Sequence, residues 1–325
     1  MKKLLKILGI LVFSILLIIL IVVSYIKIAL PNVGPAPQIT VQKSEASIER
    51  GAYLAKSVMS CMDCHSKRNM SQFSMPMVVS TMGQGGERFD QSLGFPGIYY
   101  SANITPSGIG GWTDGEIYRA ITTGVRKNGK PIFPVMPYHA YGYADPQDVQ
   151  SVIAFLRTLT PIENAVPESS SDFPMNFILN TVPVKAMPMK IPPIADSLAS
   201  GQYLFTIASC HDCHTPFEKG KFNETLALAG GRNFPVEGGT VSSANITPDR
   251  ETGIGTWTRE IFIGRFSSYR DSVIAHRVVH PGELQTYMPW TLYAHMTDAD
   301  LGNIYAYMQT LAPIKHAVVK FRAKS

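Results

Sequence analysis

All four cysteines of this 325-residue chain fall in two copies of one short pattern, SCMDCHS at Ser60–Ser66 and ASCHDCHTP at Ala208–Pro216. Each copy sets two thiols three positions apart, with a histidine directly after the second. That spacing brings both sulfurs to one turn of chain, where they can grip one small object. The surrounding sequence repeats as well. RGAYLAKSVMSCMDCH from Arg50 parallels SGQYLFTIASCHDCH from Ser200, and SANITPSGIGGWT from Ser101 parallels SANITPDRETGIGTWT from Ser243. PVMPYHAYGYADPQDVQSVIAFLRTLTPI from Pro134 parallels TYMPWTLYAHMTDADLGNIYAYMQTLAPI from Thr286. The order is the same both times, so the repeated unit is a whole domain, and the length suits two cores better than one.

The repeat sets the expected boundaries: a first domain over 46–162, a linker over 163–195, a second domain over 196–314 and a basic tail over 315–325. Prolines and serines mark the linker as extended, with Phe173, Phe177 and Ile178 expected to pack on a domain face. Helical apolar spacing covers Ser47–Met59 and Ala199–Ile207. Further helices are expected to start at Thr113, at Asp145-Pro146 and at the capping-box-like Thr297–Asp300. Gly51 and Gly201 would permit close crossing of the first and last helices of each domain, near Phe155 and Tyr307. Between the helices lie Gly- and Pro-rich loops with no clear strand alternation, so the fold is expected to be mostly α.

The amino terminus follows different rules. MKKLLK precedes Ile7–Ile26, a segment without charge whose only polar interruptions are two serines. Such a run matches the ~30 Å hydrocarbon core of a bilayer. It is longer than a signal-peptide core and lacks a small-residue cleavage pattern before Pro31, so residues 1–30 read as an uncleaved transmembrane anchor. Lys2, Lys3 and Lys6 outweigh Lys27, which leaves everything beyond about Pro31 outside the cytoplasm. Four lysines at this end and four basic residues in the tail account for the net charge of +5; the remainder holds 21 basic against 24 acidic groups. Nothing in that distribution suggests a nucleic-acid surface.

Three objects suit a C-x-x-C pair. Zinc needs four ligands, and pairs 149 residues apart do not resemble a compact zinc ribbon. A thioredoxin-type dithiol wants a βαβ context, which is lacking. Haem fits best: C-x-x-C-H is the c-type attachment pattern, in which Cys61 and Cys64, and Cys210 and Cys213, join the vinyl groups while His65 and His214 lie under the iron. Two covalent haem c groups are therefore expected. Met136 and Met288 are the candidate sixth ligands, 71 and 74 positions after their histidines and each followed by proline and an aromatic residue. His/Met ligation raises the reduction potential and closes both axial faces, which suits electron transfer and discourages direct binding of oxygen or peroxide. The second domain is less regular: Trp257 to Met288 spans 31 positions where Trp112 to Met136 spans 24, and the added loop carries His276 and His280. Asn103, Thr105 and Pro106, with Asn245, Thr247 and Pro248, read either as a loop along the haem edge or as a structural turn. Trp112 and Trp257 read as core residues or as partners of a haem propionate.

Each copy resembles class I cytochrome c. RGAYLAKSVMSCMDCH, NITPSGIGGWTDGEIYRAITTGV, FPVMPYHAYGYADPQDVQSVIAFLRTL and NITPDRETGIGTWT are similar to segments of the cytochrome c subunits of bacterial alcohol, aldehyde and gluconate dehydrogenase complexes. The resemblance covers nearly all of 46–314 and implies two tandem class I cytochrome c domains behind the transmembrane helix, in an inner-membrane protein with its haem domains in the periplasm. It also implies an electron carrier rather than an enzyme, with redox protein partners: a dehydrogenase subunit, a respiratory complex or an oxidase. Those subunits commonly carry three haem domains, whereas this chain has two and a long anchor, so a free-standing tethered carrier is an equal expectation. A di-haem cytochrome c peroxidase, which needs one haem with an openable sixth position, is the enzymatic alternative.

Overall fold

A computed structural model describes residues 1–325 apart from Lys219, Pro281 and Ser325. The first element, α1 (Lys2–Ile28), buries none of its residues. It is long and apolar enough to cross a membrane, with a mean hydropathy of 3.3 over an 18-residue stretch. A helix of this composition with every face exposed is not a core helix, so its apolar surface must be covered by something outside the chain.

Each repeat copy is built on a pair of crossed helices. In the first, α2 (Glu45–Tyr53) is capped by Ser44 and runs into a single π-helical turn, Leu54–Val58. A short turn α3 (Cys61–Cys64) follows, and then α4 (Asp114–Thr123), opened by a complete Thr113/Glu116 capping box. The last helix, α5 (Pro146–Leu156), starts behind the Asp145 cap with proline in its first turn. The second copy repeats the scheme with α6 (Ser197–Ile207), α7 (Cys210–His214), α8 (Arg259–Ser267) and α9 (Asp298–Met308). The first and last helices cross where glycine removes the side chain. A Cβ on Gly51 would sit 1.8 Å from the Ser151 carbonyl oxygen, and one on Gly201 would sit 2.0 Å from that of Asn303. Around the first crossing Leu54, Val58, Val149, Val152 and Ile153 are fully buried.

Strand content is small. Arg88–Phe89, Gly97–Tyr100 and Ser170–Ser171 form one antiparallel sheet, and Phe217–Glu218 pairs with Lys221–Phe222. Asn233–Val236, Gly239–Ser242 and Phe321–Ala323 form another sheet, which draws the carboxyl-terminal tail onto the second copy. Segments of two to four residues are too short for alternation to show in sequence.

The linker differs from expectation. Met175 and Leu179 face inward, onto the cluster of Phe89, Tyr99, Phe95, Phe133 and Val135, whereas Phe173 is 82% exposed and Ile178 45% exposed. The short helix Met175–Ile178 turns these residues to opposite sides.

The two copies meet through a self-complementary contact. Tyr203 of the second copy donates to Asp148 Oδ2 (2.6 Å), and its oxygen accepts from the Asp145 N–H (3.1 Å). Tyr53 of the first copy does the same at the equivalent place, donating to Asp300 and accepting from the Thr297 N–H. Each copy's first-helix tyrosine thus helps to satisfy the orphan N-terminus of the other copy's last helix. This is the pattern of an isologous interface, drawn here within one chain. Only the first copy adds an arginine: Arg50 makes a two-pronged pair with Asp148 at 2.8 and 2.7 Å. Tyr203→Phe is expected to destabilise the chain by about 1–2 kcal/mol, because a nearly fully buried carboxylate loses a charge-assisted bond. Denaturant unfolding checks this; an unaltered midpoint would contradict it.

Candidate functional site

The two cysteine patterns adopt the same local geometry. Ser60 and Ser209, each directly before the first cysteine, take left-handed backbone angles (φ +49° and +58°), which ends the first helix and starts a new short turn. All four cysteines are free thiols. Burial pushes the Cys61 and Cys210 thiols up to about 12. A redox-active dithiol requires the opposite shift. Among the described residues no group of three or more His, Cys, Asp or Glu side chains is placed to hold a metal ion, so the two pairs do not combine into a zinc site.

The histidines are fixed in the same way in both copies. His65 Nδ1 lies 2.7 Å from the Ala102 carbonyl oxygen, and His214 Nδ1 lies 2.7 Å from that of Ala244. A carbonyl only accepts, so the proton sits on Nδ1 and the lone pair is left on Nε2. Burial lowers the pKa of both imidazoles below the ordinary value, and that same hydrogen bond partly offsets the shift. No hydrogen bond among the described residues engages Nε2 of either ring. A neutral imidazole with Nδ1 donating and Nε2 free is the form that binds a metal.

The carbonyls are held by the repeated SANITP loop. Asn103 Oδ1 accepts from the Thr105 N–H (3.0 Å) and hydroxyl (2.7 Å), while its amide donates to the Ile162 carbonyl at 2.8 Å. Asn245 and Thr247 repeat this with Ile314. Asn103 and Thr105 are therefore structural, pinning the loop to the end of its copy. Gly85 closes the arrangement from the other side: its N–H donates to the His65 carbonyl at 2.9 Å, and a Cβ there would lie 2.4 Å from the Ala102 carbonyl carbon. Gly230 does the same with His214 and Ala244. Trp112 and Trp257 pack against the main core.

The thiols have apolar packing on one side and, beside Cys64, a buried ionic cluster of Arg68 with Glu87 and Asp63. Cys61 and Met136 both pack against the main core, as does Cys210, and Cys64 joins the aromatic cluster that includes Phe95, Phe133, Met175 and Leu179. Met288 is half-buried and is positioned from the other copy. Ser74, itself 2% exposed, donates its hydroxyl to the Met288 carbonyl (2.6 Å) and accepts from the Trp290 N–H (3.1 Å). Its own N–H donates to Gln285 Oε1 (2.9 Å), whose amide returns to the Gln72 carbonyl. His276 and His280 are exposed on the same loop. Residues 69–75 of the first copy thereby brace the longer loop of the second.

The two cysteine-bearing turns lie on either side of the interface. His139 of the first copy is 2.9 Å from Asp212, between Cys210 and Cys213 of the second. Burial raises the Tyr141 phenol well above its usual pKa, helped by Cys61, Cys64, Tyr293 and Asp212; Tyr293 is raised likewise by burial, Cys210 and Cys213. Tyr141 donates to the Met59 carbonyl (2.6 Å) and Tyr293 to that of Ala208 (2.9 Å), each two residues ahead of its own copy's first cysteine.

No protein-family model matches the chain. Relatives 26–34% identical to it include cytochrome c subunits of alcohol, fructose and gluconate dehydrogenases and a dihaem cytochrome c. The alcohol dehydrogenase (quinone) cytochrome c subunit of Gluconobacter oxydans is 26% identical over 285 residues, 83% of this chain and 56% of that protein. The fructose dehydrogenase cytochrome subunit of Gluconobacter japonicus is 28% identical over 296 residues, 83% of this chain and 56% of that protein. A dihaem cytochrome c-type protein of Cereibacter sphaeroides is 34% identical over 198 residues, 58% of this chain and 63% of that protein. The chain spans less than two thirds of the length of these relatives.

Proposed function

We propose that this chain is a membrane-anchored di-haem c-type cytochrome that passes electrons and performs no substrate chemistry of its own. Residues 46–162 and 196–314 are its two class I cytochrome c domains. Cys61 and Cys64 would attach one haem c and Cys210 and Cys213 the other, with His65 and Met136, and His214 and Met288, as the residues that would hold the two irons. The observation that carries this reading is the duplicated histidine geometry, Nδ1 on a backbone carbonyl and Nε2 free, directly beside each thiol pair.

When bound, each haem supplies an iron that cycles between the ferric and ferrous states. The protein's part is to hold that cycle with little rearrangement. The SANITP loop fixes each imidazole, the thiols on their short turns would fix the haem edge, and the apolar residues around Cys61, Met136 and Cys210 limit water there. Methionine sulfur favours ferrous iron and raises the potential. The His139–Asp212 contact brings the first copy against the second copy's cysteine-bearing turn, which favours exchange between the two sites. The relatives are subunits of dehydrogenases, which supports a dehydrogenase subunit as electron donor; quinone or a terminal oxidase is the acceptor. Helix α1 spans the inner membrane with Lys2, Lys3 and Lys6 in the cytoplasm and the haem domains in the periplasm.

Optical and EPR spectra of the purified full chain test this. Two low-spin irons with methionine-ligated signatures are expected, with negligible peroxide turnover. A high-spin ferric site with rapid peroxide consumption would overturn the carrier reading in favour of a peroxidase.

A further inference from the structure

The linker turn at 173–178 is two-faced, and its outward face is left uncovered. Met175 and Leu179 pack inward on the cluster that holds Cys64, while Phe173 and Ile178 point away, 82% and 45% exposed. The turn also lies against the end of α1. Lys27, one residue before that helix ends, donates its ammonium to the Asn176 carbonyl at 3.1 Å and lies 4.5 Å from the centre of the Phe177 ring. Phe177 meets Phe173 edge to face at 6.3 Å. Residues 173–184 carry no charged side chain.

On the reading that α1 spans a bilayer, Lys27 marks the depth at which the helix leaves it, since an ammonium at a helix end reaches for the lipid–water boundary. Phe177 and Phe173 are then at that same depth, the level that aromatic side chains favour. We propose that the turn 173–178 is a second membrane contact, with Phe173 and Ile178 seated in the interfacial layer of the lipid beside the exit of α1. One helix alone leaves the exported part free to swing on the segment that follows it. Two contacts, joined by the Lys27–Asn176 bond, fix how the first copy faces the bilayer and put its Cys64 side toward the membrane. Lipid is favoured over a protein partner because the uncovered face continues the apolar surface of α1 at its own depth and its charged neighbours are already engaged, Lys27 with Asn176 and Asp172 with Gln91.

The test uses the full haem-loaded chain in phospholipid nanodiscs, with the photocrosslinking residue p-benzoylphenylalanine placed in turn at positions 17, 173 and 273. Leu17 lies within α1, and Val273 is 80% exposed on the second copy. After illumination, mass spectrometry reads the adducts. Phospholipid adducts are expected at 17 and 173, an order of magnitude above those at 273. Lipid adducts at 17 with none at 173 would overturn the proposal and leave the membrane span standing. Protein adducts at 173 would overturn it in favour of a partner chain on this face. An absence of lipid adducts at both 17 and 173 would remove the span itself and the proposal with it.

Discussion

Met136→Ala is expected to remove one methionine-ligated signal from the spectra and to lower the potential of that haem alone, by roughly a few tenths of a volt within the ~0.8 V range that axial ligands command. Thioether sulfur is a weak donor that prefers ferrous iron, so its replacement by water or a stronger donor stabilises the ferric form. The variant retains Cys61, Cys64 and His65 and therefore its haem content. Met288→Ala is expected to do the same for the second haem. Because Ser74 holds the Met288 carbonyl from the other copy, Ser74→Ala should weaken the second signal while leaving the first intact. Redox titration monitored optically separates the two components. An unchanged spectrum and potential in either methionine variant would remove that residue from the ligand set.

The second large effect concerns the helix crossings. Gly51→Ala places a Cβ 1.8 Å from the Ser151 carbonyl oxygen and 2.4 Å from its carbon. Both are backbone atoms, so no rotamer change relieves the clash, and α2 and α5 must separate. Separation opens the contact between Leu54 and Val58 on one side and Val149, Val152 and Ile153 on the other, all fully buried. A loss of about 3 kcal/mol or more follows, at the upper end of overpacking costs. Gly201→Ala should behave alike against Asn303. Gly264, exposed within α8 with nothing near its missing Cβ, provides the contrast: alanine there should stabilise by up to about 1 kcal/mol. Denaturant unfolding followed by circular dichroism measures all three. Equal midpoints for Gly51→Ala and Gly264→Ala would contradict the crossing geometry.

These positions also mark what the sequence makes legible. Gly51 and Gly201 stand out because the repeat presents the same small residue twice, opposite the same helix. The Thr113, Asp145 and Thr297 caps are local patterns, and all three start helices as their side chains predict. Thr297 departs in one detail: the carboxylate of Asp300 turns to Tyr53 of the other copy rather than back to the cap. What stays hidden is of two kinds. The Ala102 and Ala244 carbonyls that orient the histidines are backbone groups, so no residue type announces them; the repeated Gly85-Gly86 and Gly230-Gly231 pairs were the available signal. Tyr53, Tyr203 and Ser74 act across the copy boundary, on partners far away in sequence. In the linker, hydrophobicity alone marks Phe173 and Ile178 as inward, and the structure reverses them because Met175 and Leu179 reach the cluster around Cys64 first.

All of this depends on two porphyrins bound through thioether bonds. Intact-mass analysis of the denatured full chain is the direct measurement. The account predicts the polypeptide mass plus two haem groups, with Cys61→Ser/Cys64→Ser and Cys210→Ser/Cys213→Ser each removing one. A chain that carries no covalent adduct, with all four thiols open to alkylation, would contradict it.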